Sequence, residues 1–378
     1  MSVKQLGLWD NRSDKCPFIE LLEDDDNHCF SFGQPKGGYE VIAEDTPFFA
    51  NILAEIKNVG FYDISARPTP AFEMPFFIPG VKRGSQKILQ DNVPPFVAIS
   101  LSNIISPKEL SMPTGDIKSK FGIHPKSKVL LLCYAKDGLI EKLWTRRKDI
   151  FKNIAGLGFD LVTSVNYSVW LDQPHAERLI NPKRSLITFQ ELQELGVPTI
   201  PHIYWTGKKD LMRWGSWLAN NQGVSTIAIN LQTERERGNL IWNQTLEDLK
   251  FFVSILDRPV HFLITGPSKP ERIRQLQNIL PTFTLTNGIC ARRAASGYLL
   301  KEDAGSLRHE HSNEIPKNKI LGENIKFYNE LMEEKLGKTD SIIGHTYKKT
   351  LNSQIPIKSY QLVNYFSSTN ETSSGTRP

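Results

Sequence analysis

Short apolar runs rich in β-branched residues recur through the middle of the chain at intervals of roughly 30 residues. Each run is too short to be a helix that stands alone, and most are followed by a segment with helical periodicity. Strands that alternate with helices in this way form parallel sheets through right-handed crossovers. The pattern predicts seven strands, at residues 96–101, 129–134, 159–165, 199–204, 226–231, 260–265 and 283–286.

An eighth strand would complete a (β/α)8 barrel, in which ligands bind at the carboxyl ends of the strands. Residues 39–43 and residues 61–65 are the two candidates for it. Residues 67–79 contain four prolines, which remove too many backbone donors for regular structure, so we expect an irregular loop there. The predicted fold is therefore α/β, a (β/α)8 TIM-barrel-like domain with N- and C-terminal extensions.

Apolar stripes with helical spacing predict the helices of this barrel, at residues 139–154, 211–218, 246–256 and 273–280. Before the strands, Thr46 and Pro47 suit the start of a helix that covers residues 48–59. After them, residues 301–319 are polar and typical of a linker, and residues 321–336 fit one amphipathic helix.

We expect three regions along the chain. Residues 1–38 form an N-terminal extension, residues 39–298 the barrel domain, and residues 299–378 a linker, a short helix and a tail. The last residues, 367–378, are rich in Ser and Thr and are expected to be disordered. The length of 378 residues, with 39% hydrophobic and 23% charged residues, is ordinary for such a globular chain.

Signals for secretion or membrane insertion are not found in the sequence. The N-terminus has no apolar signal segment, and no run of eighteen or more apolar residues occurs. The spacing of Cys16, Cys29, Cys133 and Cys290 does not suggest a disulfide framework. We therefore expect a cytoplasmic protein that does not span a membrane.

The loops after the predicted strands mix aromatic and amide side chains, which suit an uncharged heterocycle or a sugar. Because alternate residues of a strand point to opposite sides, about half of these side chains are instead expected to pack under helices. The candidates for one ligand pocket are Asn166, Tyr167, Trp170, His202, Tyr204, Trp205, Asn230, Gln232 and Asn287.

The same loops are basic, with twelve Lys and Arg against seven Asp and Glu, an excess of five that equals the net charge of the chain. A basic rim with aromatic residues attracts phosphate-bearing ligands, including single-stranded nucleic acid. We predict Lys183, Arg184, Lys208 and Arg292 as phosphate contacts. The alternative is a set of solvated helix starts with scattered ion pairs.

Possible acid–base groups in these loops are Asp172, His175, His202 and Glu234. We predict Asp172, His202 and Asn230 as the centre of any catalytic site. A lone histidine at a strand end is more often structural, so a purely structural role for His202 stays open.

Several chemistries lack their motifs. The chain has no three-cysteine cluster motif, no phosphate-binding GxxxxGK[ST] loop and no serine nucleophile elbow. His309 and His311 resemble a metal pair but follow the last predicted strand, so we expect no metal site there. No cofactor is indicated.

Residues 158–205 contain an Asn-aromatic-Ser-x-aromatic run, an Asp-x-Pro, an Asn before a basic segment, and an Ile-Pro-x-x-x-Trp strand. This combination resembles an uncharacterised bacterial and phage family, which implies a phage or mobile-element context and no particular activity. Asn166 departs from the family's usual aspartate. The matching positions are Asn166, Tyr167, Ser168, Trp170, Asp172, Pro174, Asn181, Arg184, Ile200, Pro201 and Trp205.

Three functions remain open at this point. The leading hypothesis is binding of a nucleic acid or nucleotide at the basic strand-end face, with or without chemistry on that ligand. The second is a small-molecule hydrolase or lyase in the same pocket. The third is a non-catalytic scaffold whose tail, residues 321–378, recruits a protein partner.

Overall fold

The computed structural model describes residues 46–68, 73–82, 93–106, 108, 110–169, 175–232, 238–303 and 306–336. It is an α/β fold with two four-stranded parallel sheets. One sheet has the order β2-β3-β4-β5 and the other the order β1-β8-β7-β6. The strands are β1 (Phe77–Pro79), β2 (Phe96–Ser100), β3 (Lys128–Leu132), β4 (Leu161–Thr163), β5 (Thr199–Ile200), β6 (Thr226–Asn230), β7 (His261–Thr265) and β8 (Phe283–Asn287).

The seven strands predicted from the apolar runs are confirmed as β2 to β8. The additional, eighth strand does not lie where we expected it; it is β1, the first strand in the chain. Residues 61–65 form a turn and coil, residues 39–43 lie outside the described residues, and β1 falls inside the proline-rich segment that we expected to be irregular.

Hydrogen-bond directions explain why β1 tolerates its proline. The Gly80 N–H donates to the Asn287 carbonyl of β8 at 3.0 Å, and the Val81 N–H donates to the Ala98 carbonyl of β2 at 2.8 Å. Donors alternate along a strand, so the missing N–H of Pro79 lies on the β2 side. The pairing of β1 with β8 is therefore intact, and its pairing with β2 is reduced to one parallel bridge between Gly80 and Ala98.

A second bridge joins the other edges of the two sheets. His202, just after β5, pairs in parallel with Ala228 of β6. The Ala228 N–H donates to the Pro201 carbonyl at 2.9 Å, and the Ile203 N–H donates to the Ala228 carbonyl at 2.9 Å. The two sheets are thus linked at both pairs of edges.

The helices follow the strands as the apolar stripes predicted, with α2, α4 and α8 as additions. The predicted helices at residues 48–59, 139–154, 211–218, 246–256, 273–280 and 321–336 are confirmed, with shifted ends. The helices are α1 (Thr46–Ile56), α2 (Ile117–Phe121), α3 (Asp137–Gly156), α4 (His175–Glu194), α5 (Lys208–Asn220), α6 (Gly238–Ile255), α7 (Pro270–Gln277), α8 (Ile289–Ala295) and α9 (Lys317–Leu336).

Helix α4 covers a stretch whose first half we had taken as a loop. Its apolar stripe includes Ile180, Leu186 and Phe189, but Lys183 and Arg184 occupy the turn between them and are themselves buried. Charged residues at core positions hide the helical period, and Pro182 inside the helix adds a second misleading signal.

The predicted linker at residues 301–319 is also wrong. Strands β9 (Tyr298–Asp303) and β10 (Ser306–His311) form an antiparallel hairpin. Its side chains are largely exposed, so its composition is polar and does not have the apolar alternation of a half-buried strand.

Apolar side chains of the parallel strands alternate between two clusters. One cluster packs under the helices. The other draws residues from both sheets, and we call the side that carries it the inner face; its members are Ile78, Phe96, Ala98, Leu130, Leu132, Tyr134, Leu161, Ile200, Ala228 and Leu263. Within the described part of the chain, no helix has the length and hydropathy that crossing a lipid bilayer requires.

Candidate functional site

The inner face becomes polar toward the carboxyl ends of the strands. Asn230 pairs with Thr265, and Thr265 pairs with Thr286, so these three side chains share one face with the inner apolar residues that precede them. Tyr134 and His202 follow β3 and β5 on the same face. We call Tyr134, His202, Asn230, Thr265 and Thr286 the inner polar layer.

Two buried atoms of this layer have no hydrogen-bond partner among the described residues: Nε2 of His202 and Oγ1 of Thr286. The Thr265 hydroxyl donates to the Tyr134 hydroxyl at 3.2 Å, and the rings of Tyr134 and His202 meet edge to face at 5.3 Å. A buried polar atom without a partner costs about 1–3 kcal/mol of stability. The layer is therefore an energetically unfavourable arrangement of the kind that functional sites retain.

The layer carries no charge near neutral pH. Burial lowers the pKa of His202 to about 3, so its imidazole is neutral, and burial raises the pKa of the Tyr134 hydroxyl above its usual range. Neutral groups can donate and accept hydrogen bonds to an uncharged polar ligand. The same pKa of His202 makes it a poor proton shuttle near neutrality in this environment.

The remaining predicted pocket residues have varied surroundings. Trp205 donates from Nε1 to Asp248 of α6 at 2.9 Å, and Tyr204 accepts at its carbonyl from Trp214 at 2.8 Å. Gln232 is exposed, and its N–H donates to the Asn230 side chain at 3.0 Å. Nε1 of Trp205 and Oδ1 of Asn230 thus each have a hydrogen-bond partner within the fold.

Asn287 and Asn166 differ in whether their side chains have hydrogen-bond partners. Asn287 is buried, donates to the Pro267 carbonyl at 2.9 Å and to the Tyr328 hydroxyl at 3.2 Å, and accepts from the Ile289 N–H at 3.2 Å. Its side chain therefore holds neighbouring segments together and is not free to line a ligand pocket. The Oδ1 of Asn166 is buried and has no partner among the described residues.

Lys183 and Arg184, which we predicted as phosphate contacts, require a correction. Their side chains are 1% and 0% exposed, because they belong to the core-facing side of α4. Lys183 donates to Asp63 and to the Gly60 carbonyl, and Arg184 donates from Nη2 to Glu141 of α3 at 2.7 Å. Neither cation is open to a phosphate at the strand ends.

Arg184 instead belongs to a charged network between helices. Its guanidinium lies 3.8 Å from the centre of the Tyr167 ring and donates to Asn181 at 2.9 Å. A second buried arginine, Arg147, donates to Glu191 of α4 at 2.9 Å. We call Glu141, Arg147, Arg184 and Glu191 the α3–α4 charged network.

This network holds the segment after β4. Asn181 donates to the Ser168 carbonyl at 2.5 Å, and the Ser168 hydroxyl donates to Asp137 at the start of α3 at 2.7 Å. These contacts anchor the loop after β4. The residues that make them include four positions of the phage-family resemblance: Tyr167, Ser168, Asn181 and Arg184. Further along that loop, the predicted Trp170 and Asp172 lie outside the described residues, as does Glu234, and the side chain of His175 is likewise undescribed.

Exposed cations remain at the strand ends. Lys208 begins α5 and lies 5.4 Å from the centre of the Phe251 ring, and Arg292 is exposed on α8. Lys136 and Lys269, which precede α3 and α7, are exposed as well. Of the four predicted phosphate contacts, Lys208 and Arg292 therefore lie at the surface.

One glycine fixes the loops above the layer. Gly266 has φ of +123°, and a Cβ at this position would lie 2.6 Å from the backbone nitrogen of Gln232. Only glycine allows this close approach of the loops after β6 and β7.

Sequence reasoning found His202 and Asn230 but missed Tyr134, Thr265 and Thr286. A polar residue at the last inward position of an apolar strand is the signal that would have found them, as in the run from Val129 to Tyr134. Among the described residues, no three His, Cys, Asp or Glu side chains are grouped so that they would hold a metal ion.

Comparison with known proteins adds no family. The chain matches no protein-family model, and no curated protein matches it significantly. The resemblance of residues 158–205 to the phage family stays a prediction.

Proposed function

We propose that the two sheets form one closed (β/α)8 barrel. The support is that bridges at Gly80 and at His202 link both pairs of sheet edges, and that the two sheets share one inner apolar cluster. An experimental structure in which β1 and β2 lie apart, without the Gly80 bridge, would contradict the barrel.

We propose further that the strand carboxyl ends bind a nucleotide, or the end of a nucleic-acid strand. The observation that carries this proposal is the uncharged inner polar layer with its two unpartnered atoms, His202 Nε2 and Thr286 Oγ1. Neutral donors and acceptors suit a base or a ribose. Lys136, Lys208 and Lys269 are exposed in the segments that follow β3, β5 and β7, and their charges suit the phosphate.

The buried position of Lys183 and Arg184 favours a small ligand over a long strand. A strand several nucleotides long needs a continuous cationic track, and the buried Lys183 and Arg184 cannot contribute to one. A nucleoside phosphate needs only the layer and one or two lysines. The expected salt dependence is correspondingly shallow, since few counterions are released.

The test is a titration of the full chain with nucleoside monophosphates and with labelled single-stranded DNA and RNA, at about 50 and about 200 mM salt. We expect saturable mononucleotide binding that the oligonucleotides do not greatly exceed. His202→Phe keeps the shape of a ring at that position but removes Nε2, and it should weaken binding about tenfold or more.

Lys208→Gln tests the phosphate part of the proposal, and Lys142→Gln on α3 is its matched control because Lys142 is also an exposed lysine. Lys208→Gln should weaken a nucleoside monophosphate but not the corresponding nucleoside, and Lys142→Gln should change neither. Absence of mononucleotide binding at low salt by the folded chain would overturn the proposal, as would equal binding by parent and His202→Phe.

A further inference from the structure

A cavity of about 320 Å³, largely open to solvent, lies between α1, α3 and α4, on the helical side of the sheets and outside the inner face. Its walls combine four cations, three carboxylates and three isoleucines. Its volume is at the lower end of the range of small-molecule sites in proteins. Of the residues predicted for the strand-end site, only Lys183 lines this cavity, and its ammonium is paired with Asp63.

Two buried cations of the cavity are neutralised by its carboxylates. Arg147 donates to Glu55 at 2.5 Å and to Glu191 at 2.9 Å, and Lys183 pairs with Asp63. All three carboxylates are thus used within the walls. These pairs fix α1 and the turn at Asp63 against α3 and α4.

The other two cations, Lys57 and Lys148, have no hydrogen-bond or ion-pair partner among the described residues and are exposed. Lys148 and Glu191 both line the cavity. Four cations against three carboxylates leave the cavity with one excess positive charge.

Lys57 is held in an uncommon backbone conformation. It follows the last residue of α1 with φ of 60°, a left-handed value that residues other than glycine, asparagine and aspartate seldom adopt. A left-handed residue directly after a helix is a common way for an α-helix to end, and the Lys57 N–H donates to the Leu53 carbonyl at 3.1 Å. The conformation here fixes the position at which the Lys57 side chain leaves the backbone beside the cavity.

The remaining wall is aliphatic. Ile56 and Ile64 are buried, and Ile187 of α4 is half-buried. Because Ile56 and Ile64 are already buried, the aliphatic surface that a ligand would remove from water here is mainly that of Ile187. An inorganic ion would leave that surface exposed.

We propose that this cavity binds a small organic monoanion, a carboxylate with a short aliphatic chain. Its carboxylate lies between the ammonium groups of Lys57 and Lys148, and its chain contacts the three isoleucines. A single negative charge matches the single excess positive charge, and a second one would face the three wall carboxylates.

Two titratable groups of the walls have pKa values shifted by burial. Burial raises the pKa of the Glu191 carboxyl and lowers the pKa of the Lys183 ammonium. Titratable groups shifted by burial within one cavity are common at ligand sites, although structural ion pairs show such shifts too.

The test uses the full chain and butyrate, with binding followed by calorimetry or by NMR chemical shifts at low salt. Butyramide has nearly the same shape without the charge, and inorganic phosphate has charge without the chain. We expect saturable binding of butyrate, and weak or no binding of the other two. Equal binding of butyrate and butyramide, or binding of phosphate alone, would overturn the proposal.

Three variants assign the binding to this cavity. Lys148→Gln should weaken butyrate about tenfold, and Lys142→Gln on the same helix should leave it unchanged. Lys57→Gly removes the second charge and relieves the left-handed backbone, so it should weaken binding in a chain at least as stable as the parent. If butyrate binds equally to Lys148→Gln and to the parent, the carboxylate does not lie in this cavity. None of these outcomes depends on nucleotide binding at the strand ends.

Discussion

The inner polar layer and the α3–α4 charged network are both buried and polar, yet they differ in charge and in whether their polar atoms have partners. In the network every charged group has an opposite charge beside it, as Arg184 has Glu141 at 2.7 Å and Arg147 has Glu191 at 2.9 Å. In the layer no group is charged near neutral pH, and the polar atoms of His202 and Thr286 named above have no partner among the described residues.

The difference follows from the cost of an unmade interaction. A buried charge without a partner is several times more unfavourable than a neutral donor or acceptor without one. A protein can therefore leave a neutral atom available to a ligand and remain folded, whereas its buried charges must stay paired. Even in the network the unpartnered atom, Nε of Arg184, belongs to a guanidinium that is paired through its other nitrogens.

The largest expected effect is on the network. Arg184→Met leaves Glu141 buried without its partner, and we expect a loss of about 3–5 kcal/mol in the free energy of unfolding, measured with urea. The double variant with Glu141→Leu removes both charges and should recover most of that loss. A loss of less than about 1 kcal/mol in the single variant would mean that the pair is not buried.

The network also explains where the sequence misleads. The strands were predictable because their apolar, β-branched runs stand out from polar surroundings. Helix α4 was only partly predictable. Lys183 and Arg184 occupy core positions, whereas charged residues in a sequence indicate exposed positions. Strand β1 was missed because its proline suggested a loop. The missing N–H of Pro79 faces β2, where the hydrogen-bond ladder is absent, so the proline does not prevent pairing with β8.

The candidate site was predictable in position but not in membership. Parallel strands indicate their carboxyl ends as the site, and His202 and Asn230 were found in this way. Which side chains turn inward depends on the register, and Asn287 shows the limit. It follows Thr286 directly and so points to the opposite side of the sheet. There it donates to the Pro267 carbonyl and to the Tyr328 hydroxyl, and it does not contribute to the inner polar layer.

A second prediction concerns the layer and pH. The unfolded chain takes up a proton on His202 below about pH 6.5, whereas the folded chain resists it until about pH 3. Stability should therefore fall as the pH falls through this window, by up to about 1.4 kcal/mol per pH unit.

His202→Phe removes this contribution. Between pH 6.5 and pH 4.5 the parent should lose roughly 2 kcal/mol more than the variant, measured by urea unfolding at each pH. His261, whose pKa burial lowers to about 4, is present in both chains and so cancels in the comparison. Parallel pH profiles of parent and variant would show that His202 is protonated as easily in the folded chain as in the unfolded one.

The smallest expected effect gives the sharpest comparison, since it uses the same substitution at two paired positions of the layer. Thr286→Val removes a hydroxyl with no partner among the described residues and should raise the free energy of unfolding by about 1 kcal/mol. Thr265→Val removes the donor to the Tyr134 hydroxyl and should lower it by about 1 kcal/mol. Urea midpoints with unchanged slopes measure both. If both variants lose stability equally, Thr286 has a partner in solution. If Thr286→Val is more stable and also binds the mononucleotide more weakly, the unpartnered hydroxyl is kept for the ligand at the expense of the fold.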